Sequence, residues 1–476
     1  MIRKRYVPSP SRWLAFWVTA CLLAALLGVS PPQRALCEQL APTPRALRGF
    51  CWSMPQSACS ELIGFLWVDL TNHPSARQSA ERSRQMPPGC AAVFLWHGAD
   101  ELYQRSSDLL RDAEGRPTNI PSPWPAHGIA ETRRAVLEFF KDYKAAGGRM
   151  DYLALDYENY PHIASFERPE WLQALRDDPD ARKLLARVAQ LPPGVAPVGR
   201  IDAPADDPST DQPKFANLTE MLNNFIWAAI NRAIFDPARQ IFPDVQMSNF
   251  GSFSVTPDNP VLDHNGFPMG GLPMTGNRCA PPLYGDFGHL SEVRLSDPRL
   301  MNRPLADDRP YGGEPIDVLR YSVNVVRAIG RSCKRPIDPW IAKSNYRAAF
   351  FDNPFYEELL YHLALAGSDT FLCFNPRASV TDFEGDLLPN ACVATFNRLV
   401  GAERRGAPVL EAIPWNSELV VSGQEIGDRM LWRITTTKPA FNVRVEPSGE
   451  VLDMRGAVGR WHVSDRDPNL HFVIAR

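Results

Sequence analysis

Short apolar runs alternate with longer segments whose apolar residues recur at helical spacing, from about residue 48 to residue 403. This alternation of strand and helix is typical of an α/β protein, and its length suits a TIM-like (β/α) barrel. The predicted strands are Gly49–Ser53, Ala92–Trp96, Asp151–Tyr157, Val245–Phe250, Pro339–Lys343 and Asp369–Phe374. The predicted helices are Glu131–Ala146, Leu218–Phe235, Ile316–Gly330, Phe355–Ala366 and Leu388–Val400.

From about Gly406 the pattern changes to short strand-like runs that are broken by turns. Such runs predict a small all-β domain over residues 406–476, resembling a β-sandwich, after a barrel over residues 48–403. The region has no aromatic cluster of the kind that forms a sugar platform. Its expected role is therefore to pack beside the barrel.

The apolar run Tyr152–Leu155 ends in Asp156-Tyr157-Glu158. In a strand, Asp156 and Glu158 share one face, roughly 6 to 7 Å apart at the backbone. Two like charges this close raise one pKa, which leaves a proton donor beside a charged carboxylate. Glycosidic bond cleavage uses this division of roles. The alternative interpretation is structural: Asp156 caps the following loop and Glu158 is solvated.

The N-terminus has the form of a secretory signal peptide. Met1–Arg5 is basic and Trp13–Val29 is apolar, with small residues near Cys37 at a cleavage position. We therefore expect residues 1–37 to be removed and the protein to be secreted or periplasmic. The apolar run is at the short limit of a membrane span, so an uncleaved membrane anchor is the alternative.

The charge and the cysteine content of the chain limit the kinds of ligand that we expect it to bind. Residues 1–37 contain five of the 51 basic residues and no acidic ones, so the remainder has 46 basic against 54 acidic residues. This balance argues against nucleic-acid binding, which needs a basic surface. No C-x-x-C pair occurs and the nine His are scattered, so the sequence predicts neither a metal site nor a cofactor. The oligomeric state is left open.

Three motifs resemble the hyaluronidase family of glycoside hydrolases. Asp156–Tyr160 is similar to the family's D-[WF]-E with an aromatic two residues later. Trp52–Pro55, with Cys59 seven residues after the Trp, is similar to the family's W-N-V-P and Cys. Pro281–Tyr284 is similar to its P-S-V-Y. The resemblance covers residues 48–403 and says nothing about residues 406–476.

This resemblance implies a retaining, substrate-assisted hydrolase that cuts next to an N-acetylhexosamine, in a polysaccharide such as hyaluronan or chondroitin. Glu158 would be the general acid and base. Asp156 would orient the substrate's acetamido group, and Tyr284 would donate a hydrogen bond to the acetamido oxygen.

The resemblance also implies a disulfide between Cys59 and Cys392, and a set of substrate-binding residues: Tyr160, Trp340, Phe374, Asn375 and Asn249. The chain departs from the family in two places. Phe374 stands where the family keeps an active-site Trp, and Met247–Gly251 lacks the family's Tyr pair.

Two alternatives stay open. A chitinase-like hydrolase is suggested by Asp151–Glu158, although Ala154 replaces the middle Asp of that motif. A carbohydrate-binding barrel without catalysis would fit the loss of the Trp at Phe374. A conventional two-carboxylate glycosidase needs a second acid at a strand end, and Asp338 and Asp369 precede strands instead.

Overall fold

The structure, a computed structural model, describes most of the chain from residue 46 onward. The described residues are 46–52, 61–70, 73–96, 102, 106–156, 169–179, 181, 228–251, 276–284, 315–332, 335–343, 352–374, 383–401, 403–414, 417–436 and 441–475. Residues 46–476 belong to one compact unit.

Parallel strands form the centre of this unit, in two sheets. They are β1 Arg48–Cys51, β2 Leu62–Gly64, β3 Leu66–Asp69, β4 Ala92–Trp96, β7 Tyr152–Leu155, β8 Gln246–Asn249, β9 Pro282–Tyr284, β10 Trp340–Ala342 and β11 Thr370–Cys373. One sheet has the order β2-β1-β11-β10-β9 and the other β3-β4-β7-β8. A short antiparallel hairpin, β5 Leu109–Arg111 and β6 Pro117–Pro121, lies outside them.

The predicted closed barrel is found as two open sheets that meet at both edges. At one edge the chain is continuous: β2 and β3 are separated by Phe65 alone, whose N–H donates to Cys51 O at 3.0 Å. At the other edge the ladder is interrupted, because Ser248 of β8 forms an antiparallel bridge with Gly276. Gly251 N donates to Ala280 O at 3.1 Å and joins the two chain segments there.

Gly276 explains why this second edge can form at all. Its φ is +73°, and a Cβ at this position would lie 2.3 Å from the carbonyl oxygen of Met247. Any other residue would be strained and would clash with β8, so glycine is required for the close approach of the two segments.

The side chains between the two sheets form one aromatic core. Strands alternate their side-chain direction, so every second residue of each strand points into this interior. Its buried members are Phe50, Phe65, Ala92, Phe94, Tyr152, Ala154, Phe250, Ala280, Tyr284, Trp340, Ala342 and Leu372. Because β-strands of both sheets contribute, the sheets enclose a shared interior as the strands of a barrel do.

Helices cover the outer faces of both sheets. They are α1 His73–Gln85, α2 Ala126–Ala145, α3 Pro169–Asp177, α4 Asp236–Ile241, α5 Pro315–Ser332, α6 Asn353–Leu365 and α7 Phe383–Val400, and a π-helical turn Asn231–Phe235 leads into α4. Local caps position them. Asp108 accepts from the backbone N–H groups of His127 and Gly128 at the start of α2, and Asp352 accepts from Phe355 N at the start of α6.

The antiparallel sheets predicted for the C-terminal region are present. The strands are β12 Arg405–Pro408, β13 Leu419–Ile426, β14 Arg429–Thr436, β15 Asn442–Glu446, β16 Glu450–Leu452, β17 Gly459–Asp465 and β18 His471–Ala475. They form the sheets β12-β13-β14-β17 and β16-β15-β18. Both sheets contribute to a small core that includes Trp432, Ile434 and Val443.

Candidate functional site

Asp156 lies at the carboxyl end of β7 and belongs to the register that faces the interior. Tyr152 and Ala154 pack in the interior core, whereas Leu153 and Leu155 pack against the helices. With a side-chain period of two, Asp156 continues the interior series, and it is half-buried. The strand thus brings a carboxylate to the end of the aromatic core where the strands have their carboxyl ends.

Tyr284 ends β9 in the same interior register. It is 3% exposed and packs in the core with Phe250, whose ring centroid lies 6.1 Å away. Its ring also stacks on Phe374, with centroids 5.7 Å apart and planes inclined by 28°. Parallel strands bring their carboxyl ends to one side, so Tyr284 and Asp156 lie at the same end of the two sheets.

Aromatic side chains line this end of the interior. Phe374, just after β11, is half-buried, and its ring lies 5.1 Å from that of Trp52, just after β1. Trp52 in turn lies 4.6 Å from Trp67 of β3, and Trp67 Nε1 donates to Trp52 O at 3.0 Å. These three half-buried rings, which we call the aromatic rim, are Trp52, Trp67 and Phe374.

The sequence did not predict Trp67 as a site residue, and it pointed to Trp52 only as part of the motif Trp52–Pro55. The available signal was the run Leu66–Asp69, in which Trp67 is the large residue at an alternate position. Half-buried rings of this kind provide flat faces on which sugars or aromatic ligands can stack.

Trp340, which the resemblance implies as a substrate-binding residue, is buried in the interior. Its side chain is 0% exposed, in the interior beneath the aromatic rim, with ring centroids 5.9 Å from Phe250 and 6.1 Å from both Phe65 and Trp52. The residue points inward as expected but lies too deep, because it begins β10 whereas the site lies at the strand ends. Trp340 is a packing residue.

Asn249, which the resemblance also implies as a substrate-binding residue, does not share the interior register of β8. Met247 packs against the helices, while Ser248 and Phe250 face the interior, where Tyr152 Oη lies 2.8 Å from Ser248 Oγ. Asn249 therefore falls on the outer face of the sheet and is fully buried there. A shift of one residue along the strand separates it from the site.

The remaining predicted site residues, Glu158, Tyr160 and Asn375, lie outside the described residues. The sequence places Glu158 two positions beyond Asp156, where an extended chain would keep it on the same side.

The opposite end of the interior is closed by a buried ionic cluster. Arg278 pairs with Asp338 through two hydrogen bonds, one of 2.6 Å from Nη2 to Oδ1, and Tyr152 Oη donates to Asp338 Oδ2 at 2.7 Å. Burial, and next the charge of Asp338, raise the pKa of Tyr152 well above its usual value. Asp338 is thus committed to an ion pair away from the strand ends that carry Asp156 and Tyr284.

Cys392 has a free, buried thiol, so the predicted disulfide with Cys59 is not supported. The reason is the orientation of α7. Asn390 and Asn397 point toward the N-terminal segment, where they accept hydrogen bonds from Glu61 N and Leu47 N at 2.9 Å. Cys392 is about 200° around the helix from Asn390.

The Cys392 thiol faces helix α6. Burial, and then the charge of Glu357 on α6, raise the pKa of this thiol well above its usual value. Cys59 itself lies outside the described residues.

In the described parts of the chain, no group of three or more His, Cys, Asp or Glu side chains is arranged to hold a metal ion. Among the helices described, none combines the length and apolar content that a membrane span requires.

Comparisons with known proteins gave structural likenesses of low similarity. No family model and no curated protein matches the chain. An endo-β-1,4-mannanase from Thermotoga petrophila aligns over 89% of this chain and 92% of its own, with 11% identity and a TM-score of 0.30. A β-L-arabinopyranosidase from Geobacillus stearothermophilus aligns over 90% and 96%, with 8% identity and a TM-score of 0.29. Bee venom hyaluronidase aligns over 56% and 76%, with 10% identity and a TM-score of 0.24. All three TM-scores are below 0.5.

Proposed function

We propose that the protein is an exported glycoside hydrolase that cleaves a polysaccharide containing N-acetylhexosamine, such as hyaluronan or chondroitin. The observation that carries the proposal is that Asp156, Tyr284 and Phe374 all lie at the carboxyl ends of parallel strands, with the rings of Tyr284 and Phe374 stacked on each other. A carboxylate, a phenol and a stacking ring on one rim are the groups that a sugar-cleaving site requires. The chain needs no cofactor for this chemistry.

In the proposed reaction the substrate supplies its own nucleophile. The acetamido oxygen attacks the anomeric carbon as the bond to the leaving sugar oxygen breaks, and Glu158 donates its proton to that oxygen. Water then attacks the cyclic oxazolinium intermediate from the opposite face, Glu158 accepts its proton, and the configuration at the anomeric carbon is retained.

Two described residues would position the acetamido group. The Asp156 carboxylate would accept from its N–H and stabilise the positive charge of the intermediate. Tyr284 would donate to the acetamido oxygen and hold it near the anomeric carbon. The ring of Tyr284 is fixed by its stack on Phe374 and its contact with Phe250, so a hydroxyl at this position would be well oriented.

An N-acetylhexosamine thiazoline, a stable analogue of the oxazolinium intermediate, tests the mechanism. We expect competitive inhibition of hydrolysis of hyaluronan, chondroitin or chitin oligosaccharides, and weaker inhibition of the Asp156→Asn variant, which lacks the stabilising charge. Asp428→Asn is the matched control, because the Asp428 side chain is 95% exposed and lies in the turn between β13 and β14 of the C-terminal region. Hydrolysis that the thiazoline leaves unaffected would exclude substrate assistance.

The second candidate is a carbohydrate-binding barrel without catalysis, and the aromatic rim favours it. Three half-buried rings can hold a sugar chain whether or not an acid is present. Binding of oligosaccharides without any hydrolysis, lost on substitution of Trp52 and unaffected by substitution of Asp156, would support this function over the hydrolase. A chitinase-like specificity would appear as hydrolysis of chitin oligosaccharides alone.

Export is part of the proposal and depends on residues 1–37, which lie outside the described residues. Cleavage of this segment would release a secreted or periplasmic protein. Retention of Trp13–Val29 would instead leave the protein attached to the membrane.

A further inference from the structure

The helix α6 is joined to the C-terminal sheets by a buried polar network. Glu358 and His362, one turn apart on α6, are 3% and 0% exposed. They face Ser422 of β13 and Arg433 and Thr435 of β14. Polar groups so deeply buried are costly unless every one is satisfied, so the network defines how this helix and these sheets fit together.

Glu358 is the anionic centre of the network. It accepts two hydrogen bonds from Arg433, one of 2.8 Å from Nε to Oε2, and one of 2.5 Å from Thr435 Oγ1. The Arg433 guanidinium packs against the rings of Tyr361 and Trp461, 4.9 Å from each centroid, and the two rings also contact each other edge to face. Packing is tight on the far side as well, because a Cβ on Gly459 would lie 2.1 Å from Glu358 Oε2.

The hydrogen bonds place a proton on Nε2 of His362. Thr435 has one hydroxyl proton, and it is given to Glu358, so His362 Nε2 must donate to Thr435 Oγ1, 2.9 Å away. Ser422 Oγ accepts from Arg327 Nη2 at 3.2 Å and can donate its proton to His362 Nδ1 at 2.8 Å. This arrangement satisfies a neutral His362, with its proton on Nε2 and with both nitrogens bonded.

The charges around His362 oppose its protonation. Arg433 approaches from β14 and Arg327 from α5, whereas the carboxylate of Glu358 is already shared by Arg433 and Thr435. Arg327 donates to the carbonyl oxygens of Glu411 and Val421, and although burial lowers its pKa to about 10 it is charged at neutral pH. Burial, and then Arg433 and Arg327, lower the pKa of His362 well below its usual value.

We propose that this interface is an acid-sensitive latch in which protonation of His362 releases the C-terminal sheets from helix α6. A second proton on the ring would displace the Ser422 proton from its acceptor and add a buried positive charge between Arg327 and Arg433. Because α6 leads into β11, whose end carries Phe374, release of the latch also loosens one wall of the candidate site. The inference does not depend on the proposed function.

The direction of the pH effect follows from linkage. The pKa of His362 is lower in the folded state than in the unfolded state, so below about pH 6.5 the open form binds more protons than the closed form. Neutral His362 therefore stabilises the closed form fully above about pH 6.5, and this stabilisation is lost as the pH falls below that value. If the folded-state pKa lies well below 5, the equilibrium constant for opening is roughly 30-fold larger at pH 5 than at neutral pH.

Hydrogen–deuterium exchange of the full chain at pH 7.5 and pH 5.0, corrected for the intrinsic exchange rates, tests the latch. We expect strands β13 and β14 to exchange about 10- to 30-fold faster at pH 5.0. In His362→Gln, which keeps a donor and an acceptor but cannot titrate, this acceleration should disappear. His471→Gln is the matched control, since His471 is exposed on β18 of the same region and its loss should leave the wild-type response unchanged.

Equal acceleration in wild type and His362→Gln, or none in wild type, would overturn the proposal. If His362→Gln does not fold, exchange at the imidazole C2 position of wild type measures the titration of His362 directly. The latch requires His362 to be neutral down to about pH 5, and titration of His362 near pH 6.5 would contradict it.

Discussion

For a single residue, membership of the candidate site depends on two conditions: its side chain must be on the interior face of the sheet (its parity), and the residue must lie near the carboxyl end of its strand (its depth). Asp156, Tyr284 and Phe374 satisfy both conditions, because each lies at a carboxyl strand end in the interior register. Asn249 lies on the outer face of its strand, and Trp340 lies at the beginning of its strand, deep in the interior. Sequence predicts parity within a strand whose bounds are known, but it does not give the depth at which a closed interior stops being accessible.

Cys392 gives a prediction at this scale. Because its thiol is buried and its pKa is raised, iodoacetamide should leave it unmodified in the native protein at pH 8 and alkylate it once the chain is unfolded in denaturant without reductant. Peptide mass mapping reports both states. Cys90, which is only partly buried, is the internal comparison.

Alkylation of Cys392 in the native state would contradict its burial. A Cys392 that resists alkylation even after unfolding without reductant, and reacts once reductant is added, would instead mean that it is held in a disulfide.

At the element scale, the apolar pattern predicted six of the nine strands described in the two parallel sheets, and β2, β3 and β9 were not predicted. Ala92–Trp96 was predicted with the observed bounds, and the other five were confirmed within one or two residues at each end. The segment Leu62–Asp69 was missed, although it joins the two sheets. It is apolar on both faces, so it has no alternation, and a short apolar run cannot be assigned from periodicity alone.

The contrast between Trp340 and Trp52 gives a second prediction. Trp340→Ala should lower the free energy of unfolding by about 3 to 5 kcal/mol, because it empties a site packed by aromatic rings on several strands. Trp52→Ala, at the half-buried rim, should cost less stability and should raise KM for any oligosaccharide substrate.

Urea unfolding followed by circular dichroism, together with steady-state kinetics of the two variants, measures both effects. A smaller stability loss in Trp340→Ala than in Trp52→Ala would contradict the assignment of Trp340 to packing and of Trp52 to the aromatic rim.

At the scale of the whole molecule, the sequence predicted an α/β unit followed by antiparallel sheets, but not how these parts are joined. The edge at β8 depends on a positive φ at Gly276, which has no signal beyond the glycine itself. The latch depends on Glu358 and His362, and polar residues on a helix are ordinarily read as its solvent-facing side. Both features are set by tertiary contacts between segments distant in the chain.

We propose that Glu158, two residues after Asp156 in the sequence, is the acid that cleaves a glycosidic bond. Release of reducing ends from hyaluronan, chondroitin and chitin oligosaccharides by the purified protein measures this activity, with Glu158→Gln as the variant and Glu138→Gln, exposed on α2, as the matched control. We predict activity on at least one polymer, reduced about 10²- to 10⁴-fold in Glu158→Gln and unchanged in Glu138→Gln. A folded protein that releases no reducing ends from any of the three, or full activity in Glu158→Gln, would contradict the claim.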